Sequence, residues 1–208
     1  MGSLAGQGPP IGAPPGQTGW SAVTGNPKVT ARGLDFPRVF STGGGTNFQG
    51  NSLDHAVAYL TPVMNGVVWL GFLINLRSGS DFGFAVVNLG NDAVTAPGYG
   101  VLYNSGLFGI DNGTRGHVSY STISPGPMPS WLVVKLDFDA GMQTPYVNPA
   151  FGTNSPERLV PNARIAMDAD FQAAGFDRVY LNVGLNDGLW GFDEVRIGTT
   201  FADVRSGE

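Results

Sequence analysis

Trp190-Gly191-Phe192-Asp193-Glu194-Val195-Arg196-Ile197-Gly198, followed by Thr199-Thr200-Phe201-Ala202-Asp203-Val204, decides how this chain of 208 residues folds. Read at period two, Asp193, Val195 and Ile197 share one face of a strand, and Trp190, Phe192, Glu194 and Arg196 share the other. A carboxylate therefore sits on an apolar face. Such a group must meet backbone N–H donors, a cationic partner or a metal, because burying it unpaired costs several kcal/mol or forces protonation. Backbone donors are one solution, and Ca²⁺, which prefers oxygen ligands, is the other.

Upstream of this stretch, Asn186-Asp187-Gly188 reads as the turn of the final hairpin, and residues 176–183 as its first strand. Residues 131–140 alternate most clearly, with Leu132, Val134, Leu136 and Phe138 inward and Val133, Lys135, Asp137 and Asp139 outward. In residues 67–77, Val68, Leu70, Phe72, Ile74 and Leu76 form a core face, while Val67, Trp69, Gly71, Leu73, Asn75 and Arg77 form a second face that begins apolar and turns polar. Further strands are predicted over 29–36, 56–60, 82–89, 99–103, 144–148 and 164–167, with a hairpin over 107–121 turned at Asp111-Asn112-Gly113. Gly98-Tyr99-Gly100 reads as a turn, lacking the third glycine of a dinucleotide fingerprint. Only residues 168–174 and 199–204 look helical. About a dozen short strands with no fixed repeat make an all-β, two-sheet antiparallel sandwich over residues 20–208. Residues 1–19 are rich in Gly and Pro and are expected to form an extended arm, able to lie on a neighbouring copy and so support a homo-oligomer.

Composition narrows the partners. Thirty-two Gly and 15 Pro favour turns over long helices, and 42 % hydrophobic residues exclude wholesale disorder. Charged residues are only 13 %, with a net charge of −5, and Lys and Arg form no run, so nucleic acid and anionic lipid are poor partners. With no cysteine there is no disulfide framework, thiolate zinc site or Cys nucleophile. The longest apolar run, residues 66–74, falls far short of the ~20 residues a membrane-spanning helix needs.

The closing strand resembles that of concanavalin A-like (laminin G-like) jelly-roll domains, in which a Phe-Asp-Glu-Val-Arg-Ile-Gly type segment precedes a short helical turn. Residues 33–36, 69–73, 132–138, 146–149 and 192–198, in that order, also resemble a secreted family from planctomycete and verrucomicrobial bacteria. The resemblance implies a jelly-roll sandwich, secretion or display at the cell surface, and a structural calcium ion with Asp193 as a ligand. Asp35 is the residue placed to add a second oxygen. No leader is readable in the opening residues.

Catalytic patterns are sparse. His55 and His117 sit in no zinc motif, and neither a nucleophile elbow nor a phosphate-binding loop is present. The Glu-x-Asp-x-x-Glu strand of jelly-roll β-glucanases, which the resemblance would imply, is missing. Asp137 and Asp139, two apart on a strand, would lie about 7 Å from each other on one face, inside the broad range of a glycosidase acid/base pair. Trp69 and Trp190, on faces opposite the core set, together with Tyr103, Tyr120 and Tyr180, offer flat surfaces on which sugar rings stack; Asn186 and Asp187 would take hydroxyl hydrogen bonds. The expectation is a non-catalytic extracellular module binding a polysaccharide or cell-surface glycan. Its competitors are a polysaccharide-degrading enzyme using Asp137, Asp139 or Glu157, and a structural subunit of a surface layer or filament.

Overall fold

The computed structural model describes residues 2–3, 18–39, 44–50, 54–79, 83–91, 96–103, 105–114, 117–150, 161–185 and 188–205. Two antiparallel sheets face each other. The eight-stranded sheet runs, in spatial order, β1 (Gly2–Ser3), β3 (Lys28–Val29), β4 (Thr46–Gln49), β15 (Leu189–Gly198), β6 (Val67–Ser78), β11 (Ser130–Asp137), β12 (Met142–Val147) and β13 (Ile165–Ala166). The seven-stranded sheet runs β10 (Val118–Tyr120), β9 (Phe108–Asp111), β8 (Gly98–Val101), β7 (Phe84–Gly90), β14 (Phe176–Gly184), β5 (His55–Val63) and β2 (Ser21–Thr24).

Between the sheets lies the main core. Val68, Leu70, Phe72 and Ile74 of β6, with Leu132, Val134 and Leu136 of β11, meet Ala85, Val87 and Leu89 of β7 and Val179, Leu181 and Val183 of β14. Strict alternation built this layer, because one face of each strand has to leave water and its neighbours in register must do the same. One buried polar link crosses it: the Tyr99 hydroxyl donates to Gln143 Oε1 at 2.6 Å. Burial pushes the Tyr99 pKa well up, so the hydroxyl stays protonated as the donor.

A second apolar cluster coats the outer face of the eight-stranded sheet. Trp69 and Leu73 of β6, Trp131 and Val133 of β11 and Tyr146 of β12 are covered by Leu34, Val39 and the short helix α2 (Phe201–Val204). Thr200 and Asp203 close α2 reciprocally as a capping box. The helix sits close because Gly71 has no side chain: a Cβ there would stand 2.9 Å from Val204 Cβ. Helix α1 (Ala169–Ala174) is capped by Asp168 and buries Phe171 against Phe138 and Phe176. Both helical segments lie where the sequence places them.

Three expectations change. The strand predicted over 29–36 shrinks to Lys28–Val29, followed by turns and an isolated bridge between Phe36 and Val39. Gly98-Tyr99-Gly100 is strand β8, not a turn. Of the N-terminal arm, Gly2–Ser3 pairs with β3 and Thr18 N–H donates to Tyr59 O at 2.9 Å, while residues 4–17 lie outside the described residues.

Candidate functional site

The closing strand breaks the alternation that its sequence suggests. Trp190 and Phe192 stand opposite Leu76 and Ile74, hence face the inter-sheet core, whereas Asp193 stands opposite Leu73 on the outer face. A bulge between Asp193 and Arg196 then shifts the register, with Glu194 at φ 49°. Beyond it Val195 and Ile197 return to the core side. One inserted residue flips every side chain after it to the other face. Glu194 is held there by Arg196, whose Nε donates to Glu194 Oε2 at 2.9 Å.

Asp193 is therefore a clamp at the sheet's outer face. Its Oδ2 accepts from Leu34 N–H at 2.7 Å and its Oδ1 from Glu194 N–H at 2.8 Å, tying the segment around residue 34 to a strand 159 residues later. Two N–H dipoles thus point their positive ends at the carboxylate, where a cation would have to approach. Asp35 follows Leu34 directly, but its carboxylate is 76 % exposed and paired with Arg32 at 2.9 Å. Among the described residues no group of three His, Cys, Asp or Glu side chains could hold a metal. Asp193 and Asp35 thus turn their carboxylates to different partners.

The tryptophans also move. Trp69 is 3 % exposed, packed against Phe201 and Tyr146 beneath α2, and Trp190 is fully buried between the sheets. Neither presents a face to a sugar. Asn186, Asp187 and Glu157 lie outside the described residues. Asp137 ends β11 and Asp139 falls in the following turn, so they do not share a strand face. The N–H of Ala140 and the ammonium of Lys135 hold the Asp137 carboxyl below its ordinary value, which is the wrong direction for a general acid.

Tyr103 stays at the surface, 52 % exposed, and marks the feature that the sequence did not single out. It stands over a trough of 340 Å³ on the outer face of the seven-stranded sheet, lined by Val86 and Asn88 of β7, Gly98 of β8, Asp111 of β9, Val118 and Tyr120 of β10 and Asn182 of β14. Register builds the trough. One row across the sheet reads Val57, Tyr180, Asn88, Gly98, Asp111 and Val118; the next reads His55, Asn182, Val86, Gly100, Gly109 and Tyr120. Because side chains directly opposite on neighbouring strands share a face, Gly98 falls between Asn88 and Asp111 and leaves the floor low there. Tyr120 at 42 % exposure and Tyr103 rise beside it. From β14 to β10 are four strand spacings, or about 19 Å.

Polar groups on this face are incompletely satisfied. Asn88 Nδ2 donates to Pro97 O at 3.3 Å, but its buried Oδ1 has no hydrogen-bond partner. The same is true of His55 Nε2, beside Tyr180 with ring centroids 5.2 Å apart. Burial lowers the His55 pKa, favouring the neutral ring. Asp111 Oδ1 accepts from Gly113 N–H at 2.9 Å. At the far side of the sheet, Arg178 lies 5.0 Å over the ring of Tyr59 and is paired with Asp177. Tyr103, Tyr120 and Tyr180 were already candidates in the sequence. Asn88, Asn182 and Asp111 carry no local signature, since they meet only through the register of four strands.

No protein-family model matches the chain, and no curated protein matches it. Solved structures do. The catalytic domain of a glycoside hydrolase family 131 protein from Coprinopsis cinerea superposes with a TM-score of 0.54 at 15 % identity, over 88 % of this chain and 80 % of that one. The cellulose induced protein Cip1 gives 0.54 at 14 % identity, over 87 % and 91 %. A glycosyl hydrolase family protein from Mycobacterium fortuitum gives 0.50 at 13 % identity, over 95 % and 96 %. At these identities the likeness is one of fold, and the chain is a concanavalin A-like jelly-roll sandwich of two antiparallel sheets.

Proposed function

We propose that this protein binds carbohydrate, without cleaving it, in the trough of the seven-stranded sheet. One arrangement carries the reading: Tyr103 and Tyr120 stand over a floor that includes Gly98 and the amides of Asn88 and Asn182, and Asp111 is the single carboxylate among the lining residues. Tyrosine rings offer apolar faces to the C–H faces of a sugar, and amides such as those of Asn88 and Asn182 exchange hydrogen bonds with hydroxyls. Hydrolysis with retention or inversion ordinarily uses two carboxyl groups, about 5 to 9.5 Å apart, whereas the described residues give this trough one. The three similar solved structures, two of glycoside hydrolase proteins and one of a cellulose induced protein, favour a carbohydrate ligand.

The trough's reach across four strand spacings suits an extended oligosaccharide better than a single ring. Secretion or surface display belongs to the same proposal, since polymers of that kind are met outside the cell. No helix among the described residues is long and apolar enough to cross a membrane. Asp193 serves the fold here as a clamp on two backbone N–H groups, and that role requires no metal.

The experiment is titration calorimetry with neutral oligosaccharides of six units, beside an assay for released reducing or unsaturated ends. Binding without release is expected, with Tyr120→Ala weakening it about two- to tenfold. Product release that persists at substoichiometric protein would replace the binding reading with an enzyme. Unchanged affinity in Tyr120→Ala would remove the trough from the account.

A further inference from the structure

Asp111 has no part in holding the two sheets together, yet it is a charged group in the trough wall. It is half-buried, lies in register between Gly98 and Val118, and makes one hydrogen bond, from Gly113 N–H to Oδ1. It has no ion pair, and no Lys, Arg or His lines the trough, among the described residues. The neighbouring row reads His55, Asn182, Val86, Gly100, Gly109 and Tyr120, with His55 at its far end on β5 and outside the lining, and the Arg178 guanidinium at the sheet's other side is already taken by Asp177. A ligand in the trough therefore meets one uncompensated negative charge, on a protein whose net charge is −5.

We infer that Asp111 sets the charge specificity of the trough: it admits neutral and amine-bearing glycans and rejects uronate- and sulfate-bearing ones. This rests on the trough being the carbohydrate site. The physical reason is Coulombic. A carboxylate on the ligand a few Å from Asp111, at a half-exposed site, is repelled by an amount equivalent to about five- to tenfold in affinity at low salt, and screening shrinks that factor as ionic strength rises. An ammonium at the same place is favoured by a similar factor. Rejection of the wrong ligand by a like charge is a common device of specificity, separate from the contacts that hold the right one.

The test uses hexasaccharides of one length and three charges: a neutral cello-oligosaccharide, a glucosamine oligomer and an oligogalacturonate, titrated against the wild-type protein and Asp111→Asn at about 20 mM and 500 mM salt. Asparagine keeps an oxygen for Gly113 N–H, so the hairpin is preserved. The expected result is neutral binding in both proteins, a wild-type preference for glucosamine over galacturonate that collapses by about five- to tenfold or more in Asp111→Asn, and a preference that narrows at high salt. Neutral binding with the same charge preference in both proteins would overturn the role of Asp111 while leaving the site intact. Absence of binding to all three in both proteins would overturn the carbohydrate site, and the inference with it. Circular dichroism of the variant guards against a folding defect, and Asp111→Glu, which retains the charge, is expected to keep the preference.

Discussion

The two outer faces of this sandwich begin from the same kind of sequence and end as opposites. On the eight-stranded sheet, Trp69, Trp131 and Tyr146 alternate outward and are sealed under Leu34, Val39 and α2. On the seven-stranded sheet, Tyr59, Tyr103 and Tyr120 also point outward, and they remain 44 %, 52 % and 42 % exposed, with amides between them. What separates the faces is a lid, not the strands. Gly71 lets α2 approach one face, and Gly98 lowers the floor of the other. Glycine in the middle of a strand thus serves packing on one side and an open trough on the other.

Removing the lid gives the sharpest contrast. Phe201 is buried against Trp69 and Trp131, with ring centroids at 5.3 and 6.0 Å. Phe201→Ala is expected to cost about 3–5 kcal/mol of folding stability, read as the midpoint of urea denaturation, and to expose Trp69 to a fluorescence quencher. Truncating Tyr120 on the open face should move that midpoint by no more than about 0.5 kcal/mol. Equal losses at the two positions would erase the distinction between a covered and an open face.

The Asp193 clamp belongs to the covered side. Asp193→Ala leaves the N–H groups of Leu34 and Glu194 without this acceptor, and should cost about 1–3 kcal/mol. Asp193→Asn, which keeps one acceptor oxygen, should cost less. The melting temperature of the wild type is expected to be unmoved by a chelator such as EDTA, and a drop reversed by added calcium would return Asp193 to the role of metal ligand.

The smallest effect concerns the open side. Burial holds the His55 imidazole below its ordinary pKa of 6.5, so as pH falls through that value the unfolded chain takes up the proton first and stability declines. Hydrogen bonds also hold Asp137, Asp168 and Asp177 below 3.8, chiefly from Ala140 N–H, the Thr114 hydroxyl and the Arg178 guanidinium respectively. Their contribution is present above 3.8 and is lost as pH falls through their folded values. Thermal melts from about pH 7 down to 3 should therefore show two declines. His55→Gln is expected to flatten the upper one and spare the lower. A flat wild-type profile between about pH 7 and 5 would place His55 in an ordinary solvated setting.

Legibility in the sequence varied with the range of the interaction. The alternation of Leu132, Val134, Leu136 and Phe138, and of Val68, Leu70, Phe72 and Ile74, named the core correctly because period two is a property of a single strand. Both short helices fall within the segments that look helical in the sequence, 168–174 and 199–204, and the structure caps them with Asp168 and Thr200. In the closing strand the same rule failed: a bulge carries no local mark when its extra residue is Glu194 rather than glycine. Tyr103 and Tyr120 are the aromatics of the expected binding set that the structure leaves more than two-fifths exposed. Trp69 was misplaced because an outward position says nothing of what lies above it, and Trp190 because the bulge puts it on the core side together with Val195 and Ile197.

By itself the order of residues determined an all-β chain, the hydrophobic layer between its sheets, the positions of its two helical turns and the exclusion of thiolate chemistry. Only the tertiary structure decided which outer face is covered, that Asp193 meets the backbone of Leu34, and that Asn88, Asn182 and Asp111 share one trough. The reason is distance along the chain. A strand's own periodicity acts over a few residues, whereas a lid, a clamp spanning 159 residues and a row crossing four strands exist only once remote segments have been brought into register.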